Sequence, residues 1–239
     1  MDSAAVRLQA IVLSRSRDVM NHSPAALIFD MDDTLVATSA LWQEAECRLL
    51  EEIGHRWSPE LAIRYKGMNA LDVAATIHHL LQPPLPVRSC QEIMRKALFQ
   101  AFEKGAIKPM SGALDCVRAL ADSYPLAVAS GSPLPLVELA LKRLKLRDFF
   151  DVFVSSESVA RGKPFPDIFL AAAKALGTDP VRCLVFEDSL VGVLAARAAG
   201  SACFAVPSSS PAEIAQIATR TFASLGEVTL EDVKSALGG

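Results

Sequence analysis

Three acidic side chains follow an apolar run near the start of the chain. Residues 25–35 read AALIFDMDDTL, so Asp30, Asp32 and Asp33 come directly after residues typical of a fully buried strand. Aspartate is also a common turn residue, and for Asp33 we expect no more than a turn. For Asp30 taken alone, the turn and a functional role are equally compatible with the pattern.

Three further apolar runs end in polar residues, and the complete set favours phosphoryl transfer. Ser130 and Gly131 follow one run, Lys163 follows another, and Glu187 and Asp188 follow a third. In an open parallel sheet, ligands bind outside the carboxyl ends of the strands, which is where these residues are expected. Carboxylates suit Mg²⁺, which offsets the repulsion between a carboxylate and a phosphate. A lysine, a hydroxyl group and backbone N–H groups suit the phosphate oxygens.

The elements that must position these residues alternate between short apolar runs and helical patterns. This alternation predicts an α/β fold with a parallel sheet that helices cover on both faces. Apolar runs at residues 26–29, 126–129, 152–154, 183–186 and 202–206 predict strands. Between residues 39 and 108 the pattern is helical throughout, which predicts a small helical bundle inserted after the first strand.

The predicted domain organisation follows from this interruption. We expect a core at residues 23–38 and 109–239, and a helical cap at residues 39–108. Residues 1–22 form an N-terminal extension, for which a surface helix, a weak targeting segment and a misassigned start are all considered. No stretch there is long enough to span a bilayer and no small-residue cleavage site follows, so a secretory signal is not expected. The structural interpretation is favoured.

Composition limits the classes of partner. The 239 residues carry a formal net charge of -3, and the basic residues are scattered, so we expect no nucleic-acid partner and no membrane partner. The five cysteines lack metal-binding spacing, which favours reduced core thiols in a cytoplasmic protein. We expect a monomer or a weak homodimer that binds a small phosphorylated metabolite.

Four segments, in chain order, resemble the motifs of the haloacid dehalogenase (HAD) superfamily. They are FDMDDTL, VASGS, GKPFPDIFLAAAKALG and CLVFEDSLVGVLAARAAG. The resemblance covers residues 25–207 and is to the helical-cap branch, which is related to β-phosphoglucomutase and to sugar-phosphate and 2-deoxyglucose-6-phosphate phosphatases. It implies a Rossmann-like core with a parallel sheet and an inserted α-helical cap.

The resemblance also implies catalytic and metal-binding roles. Asp30 would be the nucleophile that forms an aspartyl-phosphate. Asp32 would be the general acid and base, which protonates the leaving alcohol and then activates water. Mg²⁺ would be held by Asp30, the main-chain carbonyl of Asp32, and Asp188, with Glu187 contributing directly or through water.

The remaining motif residues are expected to bind the phosphate. Ser130, Gly131 and Lys163 would contact its oxygens, and Thr34 would support the first loop beside them. Asp33 stands where the family usually has glycine. Because aspartate tolerates turn conformations, we expect little loss, although the additional carboxylate can alter the loop geometry or the metal affinity.

Two positions distinguish the branches of the superfamily. Dehalogenases lack an acid two positions after the nucleophile and phosphonatases have a small residue there, so Asp32 favours phosphate esters over C–Cl or C–P bonds. Mutases resembling β-phosphoglucomutase carry an arginine three residues after the glycine of a cap-loop Lys-Gly. Here Lys66 and Gly67 are followed by Ala70 at that position, which favours hydrolysis over a mutase reaction.

The sequence therefore predicts a Mg²⁺-dependent phosphatase for a sugar phosphate or a sugar-alcohol phosphate. The cap is expected to choose the substrate, because it closes over the core, and Lys66, Met68 and Asn69 are the candidate specificity residues. Trp42 and Trp57 can line the cap opening, although aromatic residues at helical spacing are more often core. A phosphosugar mutase, a phosphoglycolate phosphatase and a catalytically weak phosphometabolite-binding protein stay open as alternatives.

Overall fold

The computed structural model describes residues 11–12, 25–208 and 211–238. Within these ranges a seven-stranded sheet has the order β1-β4-β3-β2-β5-β6-β7. Strand β1 pairs antiparallel with β4, and all other pairs are parallel. The strands are β1 (Ile11–Val12), β2 (Ala26–Phe29), β3 (Leu126–Ser130), β4 (Val152–Ser155), β5 (Cys183–Glu187), β6 (Ala202–Ala205) and β7 (Arg220–Thr221).

Ten α-helices in the described ranges surround or extend this sheet. They are α1 (Ser39–Glu52), α2 (Pro59–Ala62), α3 (Ala70–Leu81), α4 (Val87–Lys104), α5 (Ala113–Ala121), α6 (Leu134–Arg143), α7 (Asp167–Ala175), α8 (Leu190–Ala198), α9 (Pro211–Ile217) and α10 (Leu230–Ala236). None of the described helices is both long enough and apolar enough to cross a membrane.

The α/β fold is confirmed, and all five predicted strands are present with ends that shift by at most one residue. The sequence did not predict β1 or β7. Each has two residues, which is too short for an apolar pattern to develop. The two residues of β1 form a strand inside the predicted extension 1–22, and the rest of that extension lies outside the described residues.

Strand β2 is buried on both faces, as its continuous apolar sequence predicts. Leu27 and Phe29 belong to one hydrophobic cluster, whereas Ala26 and Ile28 belong to a second cluster across the sheet. All four side chains are fully buried. The strand therefore holds the residue that follows it, Asp30, in a fixed position.

The chain reverses its strand order at β2, which lies between β3 and β5. Phe29, the last residue of β2, pairs with Val128 on one side and with Phe186 on the other. The next amide, of Asp30, donates a hydrogen bond to the Phe186 carbonyl at 2.9 Å. The carboxyl ends of the three central strands thus converge at a topological switch point, where open α/β sheets bind ligands.

Helices α1 to α4 all lie between β2 and β3 along the chain, inside the predicted cap interval of residues 39–108. Helix α4 packs against both α1 and α3. The described residues of this interval contain no strand, as the helical pattern predicts. The division into core and cap domains at residues 39 and 108 stays a prediction.

Candidate active site

The centre of the site is an ion pair between Asp30 and Lys163, both of which are buried. The Lys163 ammonium donates to Asp30 Oδ1 at 2.6 Å and forms a second close ion pair with Glu187 Oε1. Burial disfavours the charge of Lys163, but Asp30 and Glu187 outweigh that cost and raise the pKa of the ammonium. Lys163 is therefore expected to stay protonated beside Asp30, the residue that follows β2.

Glu187 uses both of its carboxylate oxygens within the protein. While Oε1 binds Lys163, Oε2 accepts hydrogen bonds from the Asp188 amide at 2.9 Å, the Ser189 amide at 3.0 Å and the Ser189 hydroxyl at 3.0 Å. Helix α8 approaches this carboxylate closely at Gly192, where an added β-carbon would lie 1.9 Å from the Glu187 carboxyl carbon. Only glycine permits this approach.

Asp30, Glu187 and Asp188 form a cluster that can hold a metal ion. Each offers a carboxylate oxygen, and these oxygens all lie within 4.8 Å of one another. Burial is the main cause that raises the pKa of Asp30, and burial followed by the charge of Glu187 raises the pKa of Asp188 to about 8. Lys163 offsets only part of the charge of three ionised carboxylates, so the donor set fits a hard divalent cation.

Asp32 lies beside this cluster but has a separate set of partners. Its Oδ1 accepts from the Thr38 hydroxyl at 2.9 Å and from the Trp42 indole N–H at 2.9 Å. Its Oδ2 accepts from the Ser130 hydroxyl at 2.8 Å and from the Ser132 hydroxyl at 3.0 Å. Burial raises the pKa of Asp32, and the four hydrogen bonds oppose that rise.

Asp33 does more than close the turn that the sequence predicts. It has a left-handed backbone, with φ at 57°, and its carboxylate reaches forward to the start of α1. Asp33 Oδ1 accepts from the amides of Thr38 and Ser39, each at 3.0 Å, and Oδ2 accepts from the Ser39 hydroxyl. Because Thr38 provides no side-chain cap, Asp33 caps this helix and connects the loop after β2 to the helical insertion.

A cavity of about 300 Å³ lies between the strand ends and the inserted helices. Its lining combines the acidic cluster with aromatic and polar side chains of the insertion. On the core side it is lined by Asp30, Asp32, Asp33, Gly131, Lys163, Asp188 and Ser189. From the interval 38–73 come Thr38, Ser39, Trp42, Gln43, Glu46, Trp57, Ala62, Tyr65, Lys66, Gly67, Met68 and Val73.

The insertion closes tightly onto the core around this cavity. An added β-carbon at Gly67 would lie 2.6 Å from both the Ser189 hydroxyl and a methyl carbon of Val191. At Gly131, an added β-carbon would lie 3.4 Å from backbone atoms of Met68 and Asn69. The loop that holds Lys66 and Met68 therefore sits directly over the loops that follow β3 and β5.

Several predicted residues lie elsewhere. The Asn69 side chain caps α3, accepting from the Leu71 and Asp72 amides, and does not line the cavity. The Thr34 hydroxyl is buried without a hydrogen-bond partner among the described residues and is also outside the cavity lining. Ser130 directs its hydroxyl to Asp32. Of the three candidate specificity residues, Lys66 and Met68 reach the cavity and Asn69 does not.

Sequence reasoning did not identify Glu46, Ser132 or the cap formed by Asp33. Ser132 lies within the quoted VASGS segment, two residues after Ser130, and this spacing could have indicated a second hydroxyl at the same strand end. Glu46 is an acid on a helix face that otherwise carries buried apolar residues, including Ala45, Leu49 and Leu50. A charged residue at such a position could have indicated a specific role.

Comparison with known proteins agrees with the motif resemblance. Residues 24–200 match the model of a family described as haloacid dehalogenase-like hydrolase. The chain belongs to that family. The family prediction made from the four motifs is therefore confirmed, as is the prediction of a hydrolytic enzyme.

This HAD-like hydrolase is also similar to characterised phosphatases. It is 34% identical over 180 residues to the fructose-1-phosphate phosphatase YqaB of Escherichia coli (strain K12), covering 74% of this chain and 93% of that protein. It is 30% identical over 215 residues to hexitol phosphatase B of the same strain, covering 87% of this chain and 96% of the relative.

Solved structures give the same fold. The crystal structure of CbbY from Rhodobacter sphaeroides in complex with phosphate superposes with a TM-score of 0.76 at 27% identity. The alignment covers 88% of this chain and 99% of CbbY. The Rossmann-like core with an inserted helical cap is therefore confirmed for this HAD-like hydrolase.

Proposed function

We propose that this protein is a Mg²⁺-dependent phosphatase that hydrolyses a small sugar phosphate or sugar-alcohol phosphate through an aspartyl-phosphate at Asp30. The observation that carries the proposal is the buried cluster of Asp30, Glu187 and Asp188, in which Lys163 pairs with Asp30 and Glu187, with Asp32 beside it. A binding protein has no need of a second carboxyl group at Asp32. An enzyme that cleaves a P–O bond needs both a nucleophile and a proton donor.

In the first step, a carboxylate oxygen of Asp30 attacks the phosphorus, and the bond from phosphorus to the leaving oxygen breaks. Asp32 gives its proton to that oxygen, so the alcohol leaves in neutral form. In the second step, water attacks the phosphorus of the aspartyl-phosphate while Asp32 accepts its proton. Inorganic phosphate leaves and Asp30 is regenerated.

The environments of the two aspartates support these roles. Burial raises the pKa of Asp30, and Lys163, which bonds it at 2.6 Å, opposes that rise and favours the ionised form that a nucleophile requires. Burial raises the pKa of Asp32, which helps that carboxyl group to hold a proton in the first step. The Lys163 ammonium and the Gly131 backbone, both in the cavity lining, would neutralise and orient the phosphate oxygens.

The proposed metal ligands are Asp30, Asp188 and the main-chain carbonyl of Asp32. When bound there, Mg²⁺ would supply positive charge that offsets the repulsion between Asp30 and the phosphate. Glu187 has both oxygens bonded to protein donors, which supports a contribution through water or through Lys163 rather than as a direct ligand.

The substrate class rests on the relatives and on the size of the cavity. Relatives named as a fructose-1-phosphate phosphatase and a hexitol phosphatase act on phosphorylated carbohydrates, which supports the same class here. The cavity of about 300 Å³ is at the small end of the range for ligand pockets, about 300–1,000 Å³, and favours a small metabolite. A cytoplasmic location and a monomeric or weakly dimeric state stay predictions.

Phosphate release from a panel of substrates tests this proposal. The panel contains fructose 1-phosphate, mannitol 1-phosphate, sorbitol 6-phosphate, phosphoglycolate and nucleoside monophosphates, each with Mg²⁺ and with chelator. We expect Mg²⁺-dependent release that is highest for the carbohydrate phosphates and absent in Asp30→Asn. Absence of release from every compound would refute the phosphatase, and conversion of a phosphosugar to its isomer would favour a mutase.

A further inference from the structure

The wall of the cavity formed by the insertion contains one buried carboxylate, Glu46, with an exposed fraction of 7%. Its Oε2 accepts hydrogen bonds from the Trp57 indole N–H at 2.7 Å and from the Tyr65 hydroxyl at 3.3 Å. These bonds connect α1 to the residues on both sides of α2. They fix the orientation of the Glu46 carboxylate.

The second oxygen of this carboxylate, Oε1, takes part in neither bond, and no other described residue donates to it. It is not among the fully buried atoms that lack a partner, so Oε1 keeps accessible surface. Burial raises the pKa of Glu46, and the hydrogen bonds from Trp57 and Tyr65 oppose that rise. Lys66 is near enough to oppose it too, but the two groups do not form an ion pair within 4.0 Å. Oε1 is thus an acceptor available beside the cavity.

The charges around the cavity are unevenly distributed. Its lining contains two lysines against five carboxyl groups, which are Asp30, Asp32, Asp33, Glu46 and Asp188. Lys163 is engaged with Asp30 and Glu187 at the phosphate end. Near Glu46 only Lys66 offers positive charge among the lining residues, so a second anionic group of a ligand would be poorly compensated there.

We propose that Glu46 binds hydroxyl groups of the leaving alcohol and thereby selects polyhydroxylated, uncharged leaving groups against carboxylates and second phosphates. The proposal deepens the proposed phosphatase function and rests on it. A carboxylate can accept hydrogen bonds from neighbouring hydroxyls of a polyol, whereas it repels a carboxylate or a phosphate at the same place.

The aromatic residues beside Glu46 fit this class of ligand. Trp42, Trp57 and Tyr65 also line the cavity, and their rings offer apolar surface to the C–H groups of a sugar or polyol. Their polar atoms are already used, since the Trp42 indole N–H bonds Asp32 and the other two bond Glu46. Among Glu46 and these three aromatic residues, only the Glu46 carboxylate has a polar atom left for the ligand.

The test is substitution of Glu46 by glutamine, which keeps the shape of the side chain and removes its charge. We expect kcat/KM for mannitol 1-phosphate to fall roughly ten- to hundredfold, mainly through KM. The kcat/KM for p-nitrophenyl phosphate, whose aromatic ring has no further hydroxyl group, should change less than threefold. Hydrolysis of phosphoglycolate should rise relative to mannitol 1-phosphate.

Two further variants separate recognition from structural support. Glu44→Gln changes an exposed acid on the same helix and should leave kcat/KM for all three substrates unchanged. Tyr65→Phe removes one of the two donors that orient Glu46, and should raise KM for mannitol 1-phosphate severalfold while sparing p-nitrophenyl phosphate. If Glu46→Gln lowers activity on all substrates alike, or on none, Glu46 is structural and the inference is wrong.

Binding measurements distinguish this inference from the phosphatase itself. In the Asp30→Asn background, calorimetry should give weaker binding of mannitol 1-phosphate when Glu46→Gln is added, with little change for inorganic phosphate. Such a result would support Glu46 recognition even if the wild-type protein released no phosphate, which alone would refute the proposed function. Equal binding with and without Glu46→Gln would overturn the inference.

Discussion

The strand ends and the helical insertion both contain buried carboxylates, but the two regions stabilise them differently. At the strand ends, Asp30 and Glu187 share the Lys163 ammonium and lie within reach of Asp188. In the insertion, Glu46 is held by aromatic donors and has no ion pair within 4.0 Å among the described residues. The first arrangement suits a charged phosphate and a metal ion, whereas the second suits neutral hydroxyl groups.

This difference separates chemistry from recognition. The strand ends are held by a fully buried sheet and provide fixed charges for one reaction. The insertion contacts them through a loop and a few side chains, and we propose that it determines which leaving group fits. Changes at the strand ends should therefore reduce turnover of every substrate, and changes in the insertion should alter the order of preference.

The largest effect is expected for Asp32→Asn. The amide cannot exchange a proton with the leaving oxygen, so kcat should fall by about 10²- to 10⁴-fold for every phosphate ester in the panel. Steady-state phosphate release measures this fall in kcat. Asp122→Asn, which changes an exposed aspartate directly after α5, serves as the control. A kcat within threefold of wild type would remove Asp32 from the chemistry.

A pair of glycine substitutions tests the contact between the two regions. Gly67 and Gly54 both have positive φ, at 80° and 76°, so alanine strains the backbone at either position. Only at Gly67 does the new β-carbon meet the core, 2.6 Å from Ser189, while Gly54 has open space around it. We expect Gly67→Ala to lower kcat/KM roughly ten- to hundredfold and Gly54→Ala to leave it nearly unchanged.

Equal kinetic losses in the two glycine variants would show that backbone strain, and not closure over the core, limits turnover. Thermal unfolding of both proteins provides the control, because the strain at positive φ should lower both melting temperatures. The contact of the new β-carbon with Ser189 and Val191 should lower that of Gly67→Ala further.

Metal removal should make the stability of the protein depend on pH. The pKa of Asp188 is raised to about 8 in the folded protein from an ordinary value of 3.8. A raised pKa gives stability that is complete below the unfolded pKa and is lost as the pH rises to the folded pKa. Without metal, the free energy of unfolding should therefore fall by about 2 kcal/mol between about pH 6 and about pH 8.

Mg²⁺ should reverse this trend, because it favours the ionised carboxylates of the cluster. Melting temperatures measured with Mg²⁺ and with chelator should differ more at about pH 8 than at about pH 6. Asp188→Asn should abolish most of that difference. A Mg²⁺ effect of equal size at both pH values, or one that persists in Asp188→Asn, would contradict the assignment of Asp188.

The smallest effect is expected for substitution of Asp33, which joins the two regions, and it concerns stability. Asp33→Ala removes the cap of α1 and should lower the free energy of unfolding by about 1 kcal/mol, with a melting temperature lower by about 2–4 °C. Asp33→Asn keeps an acceptor oxygen for the Thr38 and Ser39 amides and should lose less than half as much. Equal losses in the two variants would argue against the cap.

The grouping of polar residues at the strand ends could be predicted from the sequence for a physical reason. Parallel strands are short apolar runs, and the residue that follows each run must lie at one edge of the sheet. Asp30, Ser130 and Glu187 therefore converge whatever the loops between them do. Lys163 lies well beyond the end of β4 at Ser155, so the position of a strand end does not by itself place it. The loop after β4 brings its ammonium within 2.6 Å of Asp30.

The insertion could be predicted only as helical. A helical pattern gives the buried face of each helix but not which loop lies over the core, so Asn69 and Met68 were not distinguishable from sequence. Glu46 meets Trp57 and Tyr65 only after α1 and α2 have packed. The bonds from Asp33 to α1 depend on a left-handed backbone angle that the sequence does not specify.

The central claim is that Asp30 carries the phosphoryl group during turnover. Acid quenching during turnover of a carbohydrate phosphate with Mg²⁺, followed by peptide mass spectrometry, tests it directly. We expect a base-labile phosphoryl group on the peptide that contains Asp30, and none in Asp30→Asn. In Asp32→Asn the amount of this phosphoryl group should increase if that variant still completes the first step. Sustained turnover with no phosphoryl group on that peptide, or with one on another residue, would contradict it.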